Sequence, residues 1–186
     1  VGFGEGSMAV VLGMQAAEVD VICRDIAGED VVSVANVNSS SQVVIAGHRK
    51  AVDRAVKRAI EAGAKRALPL EVSAPFHCQL MKSAEKRLAE VVSSITFSDL
   101  RIPLINNVRA EEVTQGEEAR LGLIEQVSSV VLWSKCVEEL VRLGVSVFIE
   151  VGPGKVLTGL IRRIAPAVKA ISVGSKEELE NYVRLY

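Results

Sequence analysis

The stretch VVSVANVNSSSQVVIAG, residues 31–47, decides the fold of the first part of the chain. Two runs rich in β-branched residues, 31–37 and 42–47, flank the polar segment 38–41. β-branched side chains favour extended backbone, and a short polar break between two such runs is typical of a β-hairpin. The stretch therefore predicts two neighbouring antiparallel strands.

Elements on both sides of this hairpin extend the pattern. Upstream, the apolar run 8–13 predicts a strand, and apolar residues at helical spacing over 16–26 predict a helix that ends at Gly28. Downstream, a helical stripe over 51–62 precedes a strand over 66–72. The resulting order, β-α-β-β-α-β, is that of the ferredoxin-like split βαβ arrangement.

The second half of the chain alternates strands with helices, which predicts a parallel sheet covered on both faces. About three strands are expected there, fewer than the ~5–6 of a usual sheet, so this half resembles part of a larger α/β domain. The helices are predicted over 79–94, 117–126, 134–143, 156–164 and from 176, and the strands over 102–107, 145–151 and 170–173.

Composition excludes several classes of protein. The 186 residues carry 22 Lys+Arg against 23 Asp+Glu, a formal net charge of −1, which argues against nucleic-acid binding. No aromatic residue lies between positions 4 and 75, where an RNA-binding module of this topology would stack bases. Three widely spaced cysteines offer neither zinc spacing nor an even disulfide set, so we expect no metal and a reducing cytoplasm. No apolar stretch is long enough to cross a membrane, and we expect no membrane partner.

The two histidines are the candidates for acid–base chemistry. His48 stands at a strand-to-helix junction and is interpreted as an exposed residue at the start of a helix. His77 lies in SAPFHC, residues 73–78, between a strand and a helix, where catalytic groups concentrate. Imidazole suits a general base near neutral pH, although a histidine hydrogen-bonded at a helix start explains the position equally well. Cys78 cannot pair with the adjacent histidine and is expected to be a buried, unreactive thiol.

Two familiar motifs are incomplete. Gly152-Pro153-Gly154-Lys155 resembles the end of a phosphate-binding loop, but Val156 follows instead of Ser or Thr, so we interpret it as a tight turn. No Gly-x-Ser-x-Gly sequence occurs, so the chain has no nucleophile elbow.

Six strings in the chain are characteristic when taken together: NVNS (36–39), QVVIAG (42–47), AGAKRALPL (62–70), SAPFH (73–77), NNV (106–108) and EVGPGKVLTGL (150–160). They resemble malonyl-CoA:acyl carrier protein transacylases, and the resemblance runs through essentially all 186 residues, matching the later part of such an enzyme. It implies a ferredoxin-like small domain over 6–73 and the C-terminal part of an α/β-hydrolase-like large domain over 74–186, with 1–5 as the connection.

This resemblance implies a ping-pong acyl transfer through an acyl-serine. His77 matches the family's catalytic histidine, a general base, and Gln126 matches a glutamine whose carbonyl orients that histidine. Phe76 matches the bulky residue of malonyl-selective members, and Asn36 is expected to line the cleft between the two domains.

The nucleophilic serine matches nothing in this chain, so the resemblance places it in a part that precedes Val1 and predicts that the chain alone is inactive. It implies malonyl-CoA, acyl carrier protein and the missing part as partners, no cofactor, and a role in fatty-acid biosynthesis. Exposed cations near the cleft, Lys50, Arg54, Lys57, Lys65 and Arg66, are candidates for steering an acidic carrier. A non-catalytic binding module and a polyketide-type acyltransferase domain remain alternatives.

Overall fold

The computed structural model describes residues 4–185 and divides the chain into two compact units, Val1–Cys136 and Val137–Tyr186. Residues 1–3 of the expected connection lie outside the described residues. The mixed α/β class is confirmed. Within residues 4–185, no helix combines the length and apolar character needed to span a membrane.

A four-stranded antiparallel sheet with two helices begins the first unit. The elements are β1 Gly6–Leu12, α1 Ala16–Ala27, β2 Val32–Ser39, β3 Gln42–His48, α2 Arg49–Glu61 and β4 Arg66–Pro69. The strands lie in the order β2-β3-β1-β4, and both central strands pair on two sides. The predicted hairpin corresponds to the pair β2 and β3, which is joined by residues 40–41.

The two faces of this sheet bury different sets of side chains. Alternating residues such as Val11, Val43 and Ile45 are fully buried in a cluster shared with α1 and α2. The intervening residues of the strands, among them Ala46, form a second cluster that includes Cys78. Because successive side chains of a strand point to opposite faces, one sheet can serve both clusters. The second cluster anchors the segment that carries His77.

The remainder of the first unit is mostly helical. A short 3₁₀ helix, Gln79–Met81, leads into α3 Lys82–Val92, and β5 Leu104–Ile105, β6 Glu112–Val113 and α4 Gly116–Gln126 follow. The helix α5, Trp133–Arg142, begins in the first unit and ends in the second. The residues predicted as a helix over 79–94 therefore start with a tighter turn and end two residues earlier.

The prediction of a strand of the parallel sheet over 102–107 is wrong. Only Leu104–Ile105 are extended, and they pair antiparallel with Glu112–Val113 in a separate two-stranded sheet. Ile102 is 80% exposed, and the proline at 103 has no N–H to donate to a ladder. The side chain of Asn106 then accepts a hydrogen bond from the Arg109 N–H at 2.9 Å, which turns the chain.

The second unit is a parallel pair of strands with helices. Its elements are β7 Val147–Val151, α6 Val156–Ile164, β8 Lys169–Val173 and α7 Lys176–Leu185. Gly152 and Gly154, in the predicted tight turn, have φ of 135° and 97°, which suit glycine. The Glu150 carboxylate accepts hydrogen bonds from the Leu157 and Thr158 amides at 3.0 and 2.7 Å. These amides are therefore already occupied, as expected of a structural turn.

Candidate active site

His77 has an unusual backbone conformation that its neighbours hold in place. Its φ is +61°, in the left-handed region that few residues other than glycine adopt. Cys78, buried beneath the sheet, donates its Sγ–H to the Pro75 carbonyl at 3.1 Å. The His77 N–H donates to the Val127 carbonyl at 3.3 Å. Uncommon backbone of this kind persists only where surrounding structure determines it, and it is frequent at functional sites.

The imidazole of His77 is oriented by a main-chain carbonyl. Its Nδ1 lies 2.9 Å from the carbonyl oxygen of Gln126, the last residue of α4. Carbonyls in the last turn of a helix have no partner within the helix, so this oxygen is available to the ring. A carbonyl only accepts, so in the neutral ring Nδ1 carries the proton and Nε2 is left as the base. Among the described residues, Nε2 makes no hydrogen bond.

The side chain of Gln126 serves a different purpose. Its Nε2 donates to the Ser129 carbonyl at 3.0 Å and so stabilises the turn that follows α4. The predicted contact of Gln126 with His77 is thus made through the backbone. Further along, the Val131 N–H donates to Ala35 O at 2.9 Å, and the Val37 N–H donates to Val131 O at 2.8 Å. The segment after α4 is therefore attached to the edge strand β2.

A cavity of about 490 Å³ lies beside the imidazole. His77, Gln79, Val108 and the segment 128–130 line it, together with Ser33 and Val34 of β2 and with Asp20 and Cys78. Phe76 is 38% exposed, and its ring centroid lies 6.5 Å from that of His77. Asn36 is half-buried in β2 beside Val131 and is not one of the lining residues.

Comparison with known proteins identifies the family. The model of the acyl transferase domain matches residues 3–181. The chain belongs to the acyl transferase domain family.

Individual relatives of this acyl transferase domain are malonyl transferases. The chain is 47% identical over 167 residues to the malonyl CoA-acyl carrier protein transacylase of Escherichia coli K12, and 42% identical over 178 residues to that of Bacillus subtilis. These matches cover 90% and 95% of this chain but 54% and 56% of the relatives, so the chain spans about half their length.

Solved structures show the same likeness. An acyl carrier protein S-malonyltransferase of Vibrio cholerae superposes with a TM-score of 0.94 at 43% identity, covering 98% of this chain and 60% of that one. A malonyl-transacylase in complex with a type II PKS acyl-carrier protein superposes with a TM-score of 0.96 at 40% identity, covering 100% and 60%.

Two residues of the acyl transferase domain near the imidazole escaped the sequence analysis. The Ser128 hydroxyl donates to the Glu85 carboxylate, and Lys82 Nζ donates to both oxygens of that carboxylate at 2.9 and 2.8 Å. Glu85 and Ser128 are 43 positions apart, and each is of a type common on exposed helix faces. Apart from family resemblance, no local pattern in the sequence relates them.

The other titratable candidates have structural roles. His48 precedes α2, is half-buried rather than exposed, and its Nδ1 accepts a hydrogen bond from the Val31 N–H at 2.9 Å. Cys23, Cys78 and Cys136 are free and buried. Burial, aided by the charge of Asp20, raises the pKa of Cys23 to about 12, and burial raises that of Cys136 to about 11. Burial also raises the pKa of Cys78.

Proposed function

We propose that this chain is the general-base portion of a malonyl-CoA:acyl carrier protein transacylase that acts in fatty-acid biosynthesis. The observation that carries the proposal is the bond from His77 Nδ1 to the Gln126 carbonyl, which leaves Nε2 free in a residue that lines the cavity. The relatives' greater length supports a second element of the proposal: the nucleophilic serine belongs to polypeptide outside these 186 residues.

The proposed reaction proceeds in two half-reactions. Nε2 of His77 takes the proton of the serine hydroxyl as its oxygen attacks the malonyl thioester. The C–S bond breaks, and the departing thiolate of coenzyme A receives that proton. The phosphopantetheine thiol of the carrier protein then gives its proton to the same nitrogen and attacks the carbonyl carbon of the acyl-serine. The ester C–O bond breaks, the serine oxygen takes the proton back from Nε2 as its hydroxyl is restored, and the malonyl group is left on the carrier. The carbonyl of Gln126 fixes the tautomer and stabilises positive charge on the ring in both steps, as a carboxylate does in other triads. No cofactor takes part.

Phe76 is proposed to select the acyl group. Its ring stands beside the imidazole, where it would crowd an α-methyl substituent more than the hydrogen of a malonyl group. One methyl group in a pocket typically changes the barrier by ~1–3 kcal/mol, so we expect a preference. Asn36 is proposed as a minor contributor to the cleft wall.

The architecture is interpreted in the same terms. We propose that 6–73 form a ferredoxin-like small domain and that 74–186 belong to an α/β-hydrolase-like large domain. The sheet order of the first unit supports the former. In the second unit, Val151 of the parallel strand β7 is 83% exposed, although parallel strands normally lie buried on both faces. Such a strand fits a larger sheet. The three buried free thiols support a cytoplasmic location.

The carrier protein is proposed to approach along a basic face. Lys50, Lys57, Lys65 and Arg66 are exposed and have no ion-pair partner among residues 4–185, whereas Arg54 is paired with Asp30 at 2.9 Å. Reversing the four unpaired charges should weaken carrier binding and reduce its salt dependence, with Lys135→Glu as a control. An unchanged affinity would exclude this face. The likeness to a malonyl-transacylase bound to a type II PKS carrier makes a polyketide carrier the second candidate.

Intact-mass measurement tests the reaction. The complete polypeptide that contains this sequence is mixed with malonyl-CoA, and a malonyl adduct on a serine is expected. His77→Ala should slow its formation by about 10²–10⁴-fold, the usual contribution of general-base catalysis. His48→Ala, the matched control, should leave the rate unchanged. The 186 residues alone should form no adduct. An undiminished rate in His77→Ala would refute the proposal, and no adduct in any form would favour a non-catalytic module.

A further inference from the structure

Glu85 and Ser128 form a polar link beside the general base. The Ser128 hydroxyl donates to one carboxylate oxygen, and Lys82 donates to both. The Glu85 side chain is 16% exposed, whereas that of Lys82 is 56% exposed. The Lys82 ammonium therefore covers the Glu85 carboxylate on the solvent side, and the Ser128 hydroxyl contacts the carboxylate from the protein side. A hydrogen bond to an ionised acceptor is about twice as strong as one between neutral groups.

The link joins the same two segments as the imidazole contact. His77 and Glu85 lie on one segment, which runs through the 3₁₀ helix into the first turn of α3. Gln126 and Ser128 lie on the other, at the end of α4 and just beyond it. The first segment thus contacts the second at two places: His77 meets Gln126, and Glu85, eight residues later, meets Ser128. Any sliding of one segment along the other changes both contacts together.

The carboxylate is ionised in this setting. Partial burial raises its pKa, but hydrogen bonds from Lys82 and Ser128 and the charges of Lys82 and Lys86 outweigh that effect and lower it below the ordinary value of 4.5. Near neutral pH, Glu85 is therefore a permanent acceptor, and the Ser128 hydroxyl has a defined direction in which to donate.

We propose that Glu85, acting through Ser128, is a positioning residue for the general base. It holds the turn after α4 so that the Gln126 carbonyl meets Nδ1 of His77. The inference rests on the proposed function for its kinetic consequence, but the orientation of the ring can be measured without turnover.

The two histidines provide a spectroscopic test with an internal reference. A neutral His77 ring must carry its proton on Nδ1, because Nδ1 donates to the Gln126 carbonyl. A neutral His48 ring must carry its proton on Nε2, because its Nδ1 accepts a hydrogen bond from the Val31 N–H. Ring ¹⁵N shifts distinguish the tautomers. Glu85→Ala and Ser128→Ala should convert His77 from one tautomer to a mixture while His48 is unchanged. Ser128→Thr, which keeps the hydroxyl, should restore the single form.

Kinetics supply the second readout, in the complete polypeptide with malonyl-CoA. Each alanine variant should slow serine acylation about 10-fold with little change in KM, and the double variant should be no slower than either single one. Glu117→Ala is the matched control, since Glu117 pairs with Arg120 on the first turn of the same α4. It should leave rate and tautomer unchanged.

Each outcome decides the proposal. A single Nδ1–H tautomer of His77 in both alanine variants would overturn it, whatever their stability. So would a loss of rate that equals a loss of folded protein measured by circular dichroism. If the alanine variants show a tautomer mixture but the wild-type polypeptide forms no acyl adduct, the positioning role is supported and the acyl-transfer function is refuted.

Discussion

Gln126 offers the sharpest test of the site, because its backbone and its side chain perform separate tasks. Gln126→Ala keeps the carbonyl that meets His77 at 2.9 Å and removes only the hydrogen bond to Ser129 at 3.0 Å. A hydrogen bond of that kind is worth ~0.5–1.5 kcal/mol net. Since ~1.4 kcal/mol corresponds to a tenfold change in rate, acylation should slow by about 10-fold at most. Loss of the orienting carboxylate function in a serine protease triad costs about 10⁴-fold.

Val127→Pro is the complementary perturbation, because it acts on the carbonyl. The φ of Val127 is −57°, which proline tolerates, but a proline disfavours the helical conformation of the residue before it. The Gln126 carbonyl should therefore turn away from the ring, and a misplacement of about 1 Å can cost ~10²-fold in rate. Stopped-flow measurement of malonyl-serine formation compares both variants with His77→Ala. If Gln126→Ala is as inactive as His77→Ala, the side chain and not the backbone orients the base, and the reasoning fails.

Three further predictions concern the framework. A Cβ at Gly47 would stand 2.0 Å from the Val31 carbonyl oxygen, so Gly47→Ala should destabilise the fold by about 1–3 kcal/mol or more. Gly159→Ala is the control, because its Cβ would meet open space, and thermal melts should show it to be neutral or stabilising. Because the pKa of Cys23 is raised from 9.0 to about 12, the stability that its protonated thiol contributes is complete below pH 9 and is lost as the pH rises toward 12. In urea titrations, the free energy of unfolding of Cys23→Ala should therefore decline less steeply with rising pH than that of the wild type. Hydrogen bonds from Thr158, followed by those from the Leu157 and Val156 amides, lower the pKa of Glu150 below its ordinary value of 4.5. Glu150→Gln should therefore speed exchange of the Leu157 and Thr158 amides at pH 7, and this difference should vanish once the pH falls through the lowered pKa and the wild-type carboxylate is protonated. A difference that persists below that pH would contradict the capping role.

The hairpin within the antiparallel sheet could be predicted because its signals are local. The hairpin over 31–47 combines β-branched runs with a polar turn, and neighbouring residues alone decide such a structure. The run 102–107 has similar composition but a different outcome. Its partner, β6, lies several residues downstream and has no strand-like pattern of its own, so composition could not show that pairing would be antiparallel and limited to two residues.

The site was predictable only as far as family resemblance extends. The loop position of His77 left a catalytic and a structural interpretation equally open, and the family resemblance favours the catalytic one. It also indicated a carbonyl of Gln126, but two carbonyls exist in that residue, and only the structure distinguishes them. Glu85 and Ser128 were beyond reach, because polar residues on helices are usually solvated and their contact depends on the packing of α3 against α4.

When a backbone carbonyl orients the imidazole, the geometry of the site depends on the placement of a chain segment and not on one side chain. A carboxylate can be replaced by mutation, but a carbonyl cannot, and its direction depends only on how the turn after α4 is held. The end of α4 adds the partial negative charge of a helix C-terminus, worth ~0.3–1 kcal/mol and up to ~2 kcal/mol toward a cation when partly buried. A full carboxylate would attract the imidazolium more strongly than the neutral carbonyl does. The carbonyl therefore has to be placed precisely to be effective. The side chains that matter next to His77 are therefore those that fix the segment, which is why the Glu85–Ser128 link should affect rate more than its distance from the reacting atoms would suggest.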